Sequence, residues 1–218
     1  MISDNILNIK AKLPSAVKLV AVSKFHPAER LMEAYRAGQR VFAESRPQEL
    51  AAKVPLMPPD VEWHFIGHLQ TNKLKMVLPH AALVHSIDSV RLLDAVQRWA
   101  AANGRTIDVL LEQHISADAA KQGFSEEEIL TVLGQAGSYP DIRFRGLMGM
   151  ASLSEDEAVI RADFARLNAT FGKARALFPS LEDFTELSIG MSDDWPLALE
   201  YGSTMVRIGT AIFGAREY

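Results

Sequence analysis

The sequence predicts an α/β protein, a single (β/α)8 barrel of the TIM type that spans residues 1–218. Short apolar runs alternate along the whole chain with amphipathic stretches, which is the order of a parallel sheet covered by helices. The runs are too apolar for strands that face water on one side. There are eight of them, which favours closure into a barrel, and an open doubly wound sheet is the alternative.

The predicted strands are short runs rich in Val, Ile, Leu and Phe, and polar or glycine residues separate them from the stretches that follow. They cover residues 17–24, 40–45, 62–67, 82–88, 108–114, 144–150, 184–190 and 204–213.

Helices are predicted between the strands, after a short N-terminal helix at about residues 1–13. Gly38 and Gly104 are suitable stops for two of them, and Asp88 or Ser89 is a suitable N-cap. Three acids open a third helix, where the helix dipole favours them. No linker or second domain is indicated. The predicted helices cover residues 27–38, 88–104, 125–137, 156–178 and 192–202.

The composition excludes several classes of function. The formal charge is −4, and no dense stripe of Lys and Arg indicates binding to nucleic acid or to an anionic membrane. The chain has no cysteine, so disulfides, thiolate catalysis and cysteine-ligated metals are excluded. No transmembrane run of about 18 apolar residues and no signal peptide is visible. A cytoplasmic location is therefore expected.

Lys24 ends the first predicted strand, in the stretch LVAVSK (19–24). Barrel enzymes carry their chemistry at the C-terminal ends of the strands, so Lys24 is expected at the mouth of the barrel. A lysine with a lowered pKa can attack a carbonyl group and form a Schiff base. The alternative is that Lys24 is only the first solvated residue after a core strand.

Arg207 lies on the eighth predicted strand, which closure of the barrel would bring beside the first. A permanent guanidinium charge there would lower the pKa of Lys24. The alternative is that Arg207 forms a salt bridge with an acid such as Glu186.

Small residues cluster late in the chain, in LSIGMS (187–192), YGST (201–204) and RIGT (207–210). Small residues let backbone N–H groups approach an anion, and a helix that starts near Ser192 would direct its positive end there. Barrels frequently bind phosphate after strands seven and eight. The alternative is that these glycines only form turns.

The histidines do not form a recognisable metal motif. His64, His68, His85 and His114 lie at or near predicted strands, but no HExxH or similar spacing is present. Polar caps of the barrel interior are the favoured interpretation, and a metal-dependent hydrolase is a remote alternative. No nucleotide-binding glycine motif or GxSxG nucleophile motif is present.

Seven segments together resemble, in order and spacing, the pyridoxal phosphate homeostasis protein family, whose fold is similar to the N-terminal barrel of alanine racemase. The resemblance covers residues from about Leu19 to Tyr218. The segments are AVSK (21–24), WHFIGHLQTNK (63–73), HSIDS (85–89), KQG (121–123), FRGLMGM (144–150), LSIGMSDDW (187–195) and GSTMVRIGTAIFGAREY (202–218).

The resemblance implies that the cofactor is pyridoxal 5′-phosphate (PLP), held by Lys24 as a Schiff base, with Arg207 against the pyridine nitrogen and no metal. It also implies six further contacts, four with the phosphate and two beside the ring. The phosphate residues are Ser188, Ser192, Gly209 and Thr210, and the ring residues are Ser45 and His68.

The sequence departs from the family pattern at two places. FAES (42–45) stands where the family usually has FGEN, so Ser45 replaces an asparagine near the cofactor. His114 also occupies a position that is commonly asparagine. Contacts on the sides of strands two and five are the ones that these departures affect.

The expected function is that of a PLP carrier, a monomer that limits free PLP and delivers it to apo-enzymes. An arginine rarely protonates the ring nitrogen, so the cofactor would stabilise a carbanion poorly. Racemisation needs a second acid or base on the opposite face of the substrate. A tyrosine could supply it, but none of the four tyrosines lies at a strand end. A weak PLP-dependent amino-acid racemase is the enzyme alternative.

Overall fold

The fold is a closed barrel of eight parallel strands in chain order, with β8 paired to β1. A computed structural model describes residues 1–116 and 122–214. Residues 117–121 and 215–218, which include Lys121 of the KQG segment and the end of the last segment, lie outside the described residues. The closed barrel confirms the predicted fold class, and the alternative of an open sheet is wrong.

Each strand overlaps the predicted run of the same order, and β7 and β8 are shorter than predicted. They are β1 (Lys18–Val22), β2 (Val41–Glu44), β3 (Glu62–Phe65), β4 (Leu83–Ile87), β5 (Ile107–Gln113), β6 (Ile142–Gly149), β7 (Glu186–Ser188) and β8 (Met205–Ile208).

Nine α-helices lie in the described part of the chain. They are α1 (Ile2–Lys10), α2 (Ala28–Arg36), α3 (Pro47–Lys53), α4 (Leu74–Val77), α5 (Val90–Asn103), α6 (Glu126–Gly134), α7 (Glu157–Leu177), α8 (Trp195–Glu200) and α9 (Thr210–Phe213). None of the helices described is long and apolar enough to cross a membrane.

Local capping explains where several helices begin and end. Ser89 is the N-cap of α5, and its hydroxyl accepts a hydrogen bond from the Leu92 amide. Gly104 follows α5 with φ +59, the left-handed conformation that glycine adopts at low cost. Ser125 and Glu128 form a capping box at the start of α6. These signals are local, so the sequence predicts them well.

The C-terminal elements differ from the prediction in two ways. The predicted strand 204–213 is too long, because β8 ends at Ile208 and Thr210–Phe213 form α9. Gly209 between them has ψ −74, which is outside the extended range of a strand. The helix expected from Ser192 instead begins at Trp195, after Asp194 accepts a hydrogen bond from the Met191 amide.

Two apolar cores hold the barrel together. The larger lies between the strands and the surrounding helices and includes Phe42, Phe65 and Phe164, which are all fully buried. The smaller fills the inside of the barrel, where alternate residues of each strand point inward. Its members are Val20, Val22, Val41, Ala43, Leu83, Leu110, Met148 and Met205.

Strand alternation assigns Arg207 to the inside of the barrel. Side chains two apart on a strand lie on the same face. Arg207 therefore follows Met205 on the inner side, while Lys24 lies two residues beyond the end of β1. Because Val20 pairs with Arg207 in the β1–β8 ladder, the strand that leads to Lys24 lies beside the strand that carries Arg207.

Candidate functional site

Lys24 lies one residue beyond the buried Ser23, where the chain leaves β1 at the mouth of the barrel. Its side chain is partly buried. The residues on both sides of it belong to one hydrogen-bonded network, while the role of Lys24 itself stays a prediction. Ser23 and Phe25 each donate a hydrogen bond to a glutamate from a different element.

A buried charged network lies directly behind Lys24. The Ser23 hydroxyl donates to Glu44 Oε1 over 2.7 Å, and the Phe25 amide donates to Glu49 Oε2 over 2.8 Å. Lys53 Nζ connects the two carboxylates, at 2.7 Å from Glu44 and 3.0 Å from Glu49, and also donates to the Ser23 carbonyl. The backbone on both sides of Lys24 is therefore attached to α3 and β2.

The two carboxyls of this network have opposite pKa shifts. Burial raises the pKa of Glu44 to about 7, although the ammonium group of Lys53 and its hydrogen bond oppose that shift. Burial acts in the same direction on Glu49, but hydrogen bonds from the Phe25 amide and from Lys53 outweigh it and hold the pKa of Glu49 below its usual value. Glu49 is therefore the ionised partner of Lys53 at neutral pH.

Arg207 is 4 % exposed and is held by three hydrogen bonds inside the barrel. Its Nη1 donates to the Ser188 carbonyl and to the Ser188 hydroxyl, each over 2.7 Å, and its Nη2 donates to the Gly149 carbonyl over 2.9 Å. Burial lowers the pKa of Arg207 to about 10, which leaves it protonated at neutral pH. The alternative of a salt bridge to Glu186 is wrong, because Glu186 contacts Thr204 and Arg145 instead.

The late cluster of small residues brings three groups together beside β8. Ser192 Oγ accepts hydrogen bonds from the amides of Gly209 at 3.3 Å and Ala211 at 3.4 Å. Thr210 is exposed between them. These hydrogen bonds are long, so an anion with a full charge would be a stronger acceptor for the same two amides.

Ser188 lies apart from that cluster. Its side chain is fully buried inside the barrel, and its hydroxyl contacts Arg207 and His85. The structure therefore joins Ser188 to Arg207, while its predicted contact with a phosphate stays a prediction.

The two candidates for the ring surroundings lie on the loops after β2 and β3. His68 is exposed, and its Nδ1 lies 3.0 Å from Asp88 Oδ2. Ser45 is half-buried, and its carbonyl lies so close to Gly67 that a Cβ atom there would overlap it. These residues line the same rim as Lys24, and none of their hydrogen bonds joins them to Lys24 or Arg207 in the described part of the chain.

Glu112 is a buried acid inside the barrel that sequence reasoning missed. It lies on β5 with the inward parity of Leu110, and it is 8 % exposed. Burial, followed by the nearby charge of Asp88, raises the pKa of Glu112 to about 7, while Arg207 acts in the opposite direction. The signal in the sequence was an acid in the apolar run DVLLEQ (108–113), two positions after an interior leucine.

The histidines of β3 and β4 are occupied by hydrogen bonds. His64 contacts Glu62 and His85, and His85 also contacts Ser188, so all four ring nitrogens have partners. Among residues 1–116 and 122–214, no three His, Asp or Glu side chains are grouped so that they could hold a metal ion.

Comparison with known proteins gives a match over almost the whole chain. Residues 1–217 match the family described as "Alanine racemase, N-terminal domain". The chain is 39 % identical over 213 residues to a pyridoxal phosphate homeostasis protein of Vibrio alginolyticus, with 95 % of this chain and 90 % of that protein covered.

Solved structures give the same result. PipY of Synechococcus elongatus with PLP bound is 38 % identical, with a TM-score of 0.92 and with 98 % of this chain and 100 % of that chain covered. Alanine racemase of E. faecalis is 17 % identical with a TM-score of 0.77, and the alignment covers 98 % of this chain but 57 % of the racemase. The likeness to the racemase is one of fold alone.

Proposed function

Because this chain belongs to the pyridoxal phosphate homeostasis protein family, we propose that it binds PLP at the barrel mouth and carries it on Lys24 as a reversible store. The store limits the concentration of the free aldehyde and supplies PLP to apo-enzymes. In this proposal the protein works as a monomer in the cytoplasm. The PLP that is bound to PipY supports the same ligand here.

The observation that carries this proposal is the pairing of β1 with β8. It brings the strand that leads to Lys24 beside the strand that carries Arg207, and the amides of Gly209 and Ala211 follow the end of β8. PLP carries an aldehyde, a pyridine nitrogen and a phosphate. The three kinds of group on the protein therefore fit the three polar groups of the cofactor.

The residues present fit PLP by the chemistry of their donors. When bound, PLP supplies an aldehyde that condenses with an amine, with formation of a C=N bond and loss of one water. Lys24 provides the amine, and the network of Ser23, Glu44 and Lys53 holds the backbone that carries it. The Ser192 hydroxyl now accepts hydrogen bonds from the amides of Gly209 and Ala211, and it would give them up so that both amides can donate to the phosphate.

Arg207 favours storage over catalysis. Its pKa of about 10 keeps the proton on the guanidinium at neutral pH, so it would donate a hydrogen bond to the pyridine nitrogen without protonating it. A neutral pyridine withdraws electrons weakly and stabilises a substrate carbanion poorly. An arginine in this role would therefore support binding and give little help to electron-sink chemistry.

A weak amino-acid racemase is the second candidate, and Glu112 is the observation that favours it. Its pKa of about 7 suits a general acid or base, and it lies inside the same barrel as Arg207. The tyrosines do not favour it, because Tyr35 and Tyr139 are hydrogen-bonded to Asp60 and Asp94 away from the mouth and Tyr201 packs on Phe164. Tyr218 lies outside the described residues.

The experiment is an absorbance spectrum of the purified protein mixed with PLP, before and after reduction with borohydride, followed by mass mapping of the modified residue. The store predicts a near-visible band and a reduced PLP adduct on Lys24. Both are lost in Lys24→Ala and retained in the control Lys75→Ala, which changes an exposed lysine on α4.

Two outcomes decide against the store. An adduct on another lysine would contradict the site. Turnover of alanine or serine enantiomers that disappears in both Lys24→Ala and Glu112→Gln would favour the racemase.

A further inference from the structure

A continuous line of hydrogen bonds crosses the inside of the barrel, from Arg207 near the mouth to Glu62 at the opposite end. Three of its members, Ser188, His85 and His64, are fully buried. Each link is short. Arg207 Nη1 to Ser188 Oγ is 2.7 Å, Ser188 Oγ to His85 Nδ1 is 3.0 Å, His85 Nε2 to His64 Nδ1 is 2.8 Å, and His64 Nε2 to Glu62 Oε1 is 2.8 Å. We call these five residues the histidine chain.

The two ends of the histidine chain fix the direction of every hydrogen bond in it. A guanidinium only donates and a carboxylate only accepts. Hydrogen bonding to His64 lowers the pKa of Glu62 to about 2, so Glu62 is a carboxylate at neutral pH. His64 must therefore donate from Nε2, which in a neutral ring leaves Nδ1 as the acceptor for His85.

The same reasoning continues to Ser188. His85 donates from Nε2 to His64, so its Nδ1 accepts the hydroxyl hydrogen of Ser188. The Ser188 oxygen then keeps its lone pairs for Arg207. Every hydrogen bond of the histidine chain has one donor and one acceptor when both histidines are neutral and carry their hydrogen on Nε2. Complete burial, which lowers the pKa of both rings, acts in the same direction.

The reverse direction would leave a buried group without a partner. If His85 carried a hydrogen on Nδ1, Ser188 Oγ would accept from both His85 and Arg207. Its own hydrogen would then need a new acceptor inside a dry barrel. A buried polar group that loses its partner is destabilising by about 1–3 kcal/mol, which opposes that arrangement.

The histidine chain acts on Arg207 through Ser188. Three of the five N–H groups of Arg207 are used by Ser188 and Gly149, so the orientation of the guanidinium depends on where Ser188 Oγ presents its lone pairs. Other charges also face Arg207, since Asp194 and Glu112 both act to raise its pKa. Glu62 differs from them because a line of hydrogen bonds connects it to Arg207.

We propose that Glu62, His64 and His85 are positioning residues for Arg207, and that through them the far end of the barrel sets how this arginine meets a ligand at the mouth. For PLP as the ligand, this inference rests on the proposed function. Glu62 is 40 % exposed and pairs with Lys18 at 3.1 Å. The histidine chain therefore ends at a charge pair that solvent can reach. A change at the Glu62–Lys18 pair would therefore alter the orientation of Arg207 on the other side of the barrel.

The first test needs no cofactor. Nitrogen-15 NMR of the ligand-free protein reports the tautomer of each histidine ring. We expect His64 and His85 to carry their hydrogen on Nε2 from pH 6 to pH 8, with no titration in that range. A hydrogen on Nδ1 of either ring, or protonation of either ring near pH 6.5, would overturn the proposal.

The second test uses the PLP-loaded protein and two matched variants. Glu62→Gln removes the charge at the end of the histidine chain. Glu186→Gln removes a charge from β7. The Glu186 carboxylate also acts on the pKa of His64, but it accepts a hydrogen bond from Thr204 and is not part of the histidine chain.

We expect Glu62→Gln to move the absorbance maximum of bound PLP and to weaken its binding by about two- to tenfold, the range of one net hydrogen bond. Glu186→Gln should leave both unchanged. Equal effects of the two variants, or no effect of Glu62→Gln, would contradict the proposal. If the unmodified protein binds no PLP, the proposed function fails and the NMR test alone decides the histidine chain.

Discussion

The backbone amide of Phe25 donates a hydrogen bond to Glu49 Oε2 over 2.8 Å, and this contact ties the residue after Lys24 to helix α3. Phe25 has φ +70, a left-handed backbone conformation that costs residues other than glycine about 1–2 kcal/mol. The guanidinium of Arg46 lies 4.4 Å from the centre of the Phe25 ring and holds the same turn. The turn that presents Lys24 therefore depends on contacts from α3.

Glu49→Ala should loosen this turn. The Phe25 amide and Lys53 both lose an acceptor, so we expect the free energy of unfolding to fall by about 1–3 kcal/mol and PLP to couple more slowly to Lys24. Urea unfolding and the rate of the absorbance change measure the two effects. Glu29→Ala, which removes an exposed acid on α2, is the control. A variant that unfolds at lower urea concentration but couples PLP at the normal rate would show that the turn does not affect the reactivity of Lys24.

Lys53→Met should destabilise the protein more than Glu44→Gln does. Lys53 is 8 % exposed and bonds to Glu44, Glu49 and the Ser23 carbonyl, so its loss leaves three acceptors with one donor fewer. We expect a loss of about 3 kcal/mol, as for other broken buried pairs. A glutamine at position 44 can still accept from Lys53, so its loss should be about 1 kcal/mol. Urea unfolding at pH 7 would contradict this order if Glu44→Gln were the less stable variant.

Glu112→Gln should stabilise the ligand-free protein at high pH and have little effect at pH 5. The pKa of Glu112 is about 7 in the folded state and about 4.5 when unfolded, so between these values the folded state binds the extra proton. The contribution of Glu112 to stability is therefore complete below pH 4.5 and is lost as the pH rises through 7.

The size of this effect follows from the shift. Above pH 7 the difference between Glu112→Gln and the unmodified protein should approach about 3 kcal/mol, at 1.36 kcal/mol per pKa unit. Urea unfolding of both proteins at pH 5, 6, 7 and 8 measures it. A difference that stays constant over this range would show that Glu112 keeps its ordinary pKa.

Ser192→Ala should weaken binding through the phosphate alone. The Ser192 hydroxyl organises the amides of Gly209 and Ala211 and is itself a possible phosphate donor. We expect the affinity for PLP to fall by about tenfold, the upper range for one net hydrogen bond. The affinity for pyridoxal, which has no phosphate, should not change. An equal loss for both ligands would assign Ser192 to the ring or to the fold.

The sequence by itself determined the strands and much of the rim. Alternation of apolar runs and amphipathic stretches predicted the barrel, and closure predicted that β1 and β8 are neighbours. That was enough to predict that the chain segments carrying Lys24 and Arg207 are neighbours, because this depends only on strand order and on which residue ends a strand. Helix caps such as Ser89 and Gly104 were also predictable, because their interactions lie within a few residues of the chain.

Only the tertiary structure decided which polar side chains touch inside the barrel. His85 and Ser188 are 103 residues apart in the chain, and they meet because the strands close at one particular register. Strand alternation gives the face of a residue but not its height. The extra residue Arg145 in β6, where Val109 pairs with Phe144 and Leu110 with Gly146, breaks even that rule locally. The partner of Arg207, the role of Ser188 and the pKa of Glu112 depend on distances and burial, which no single strand contains.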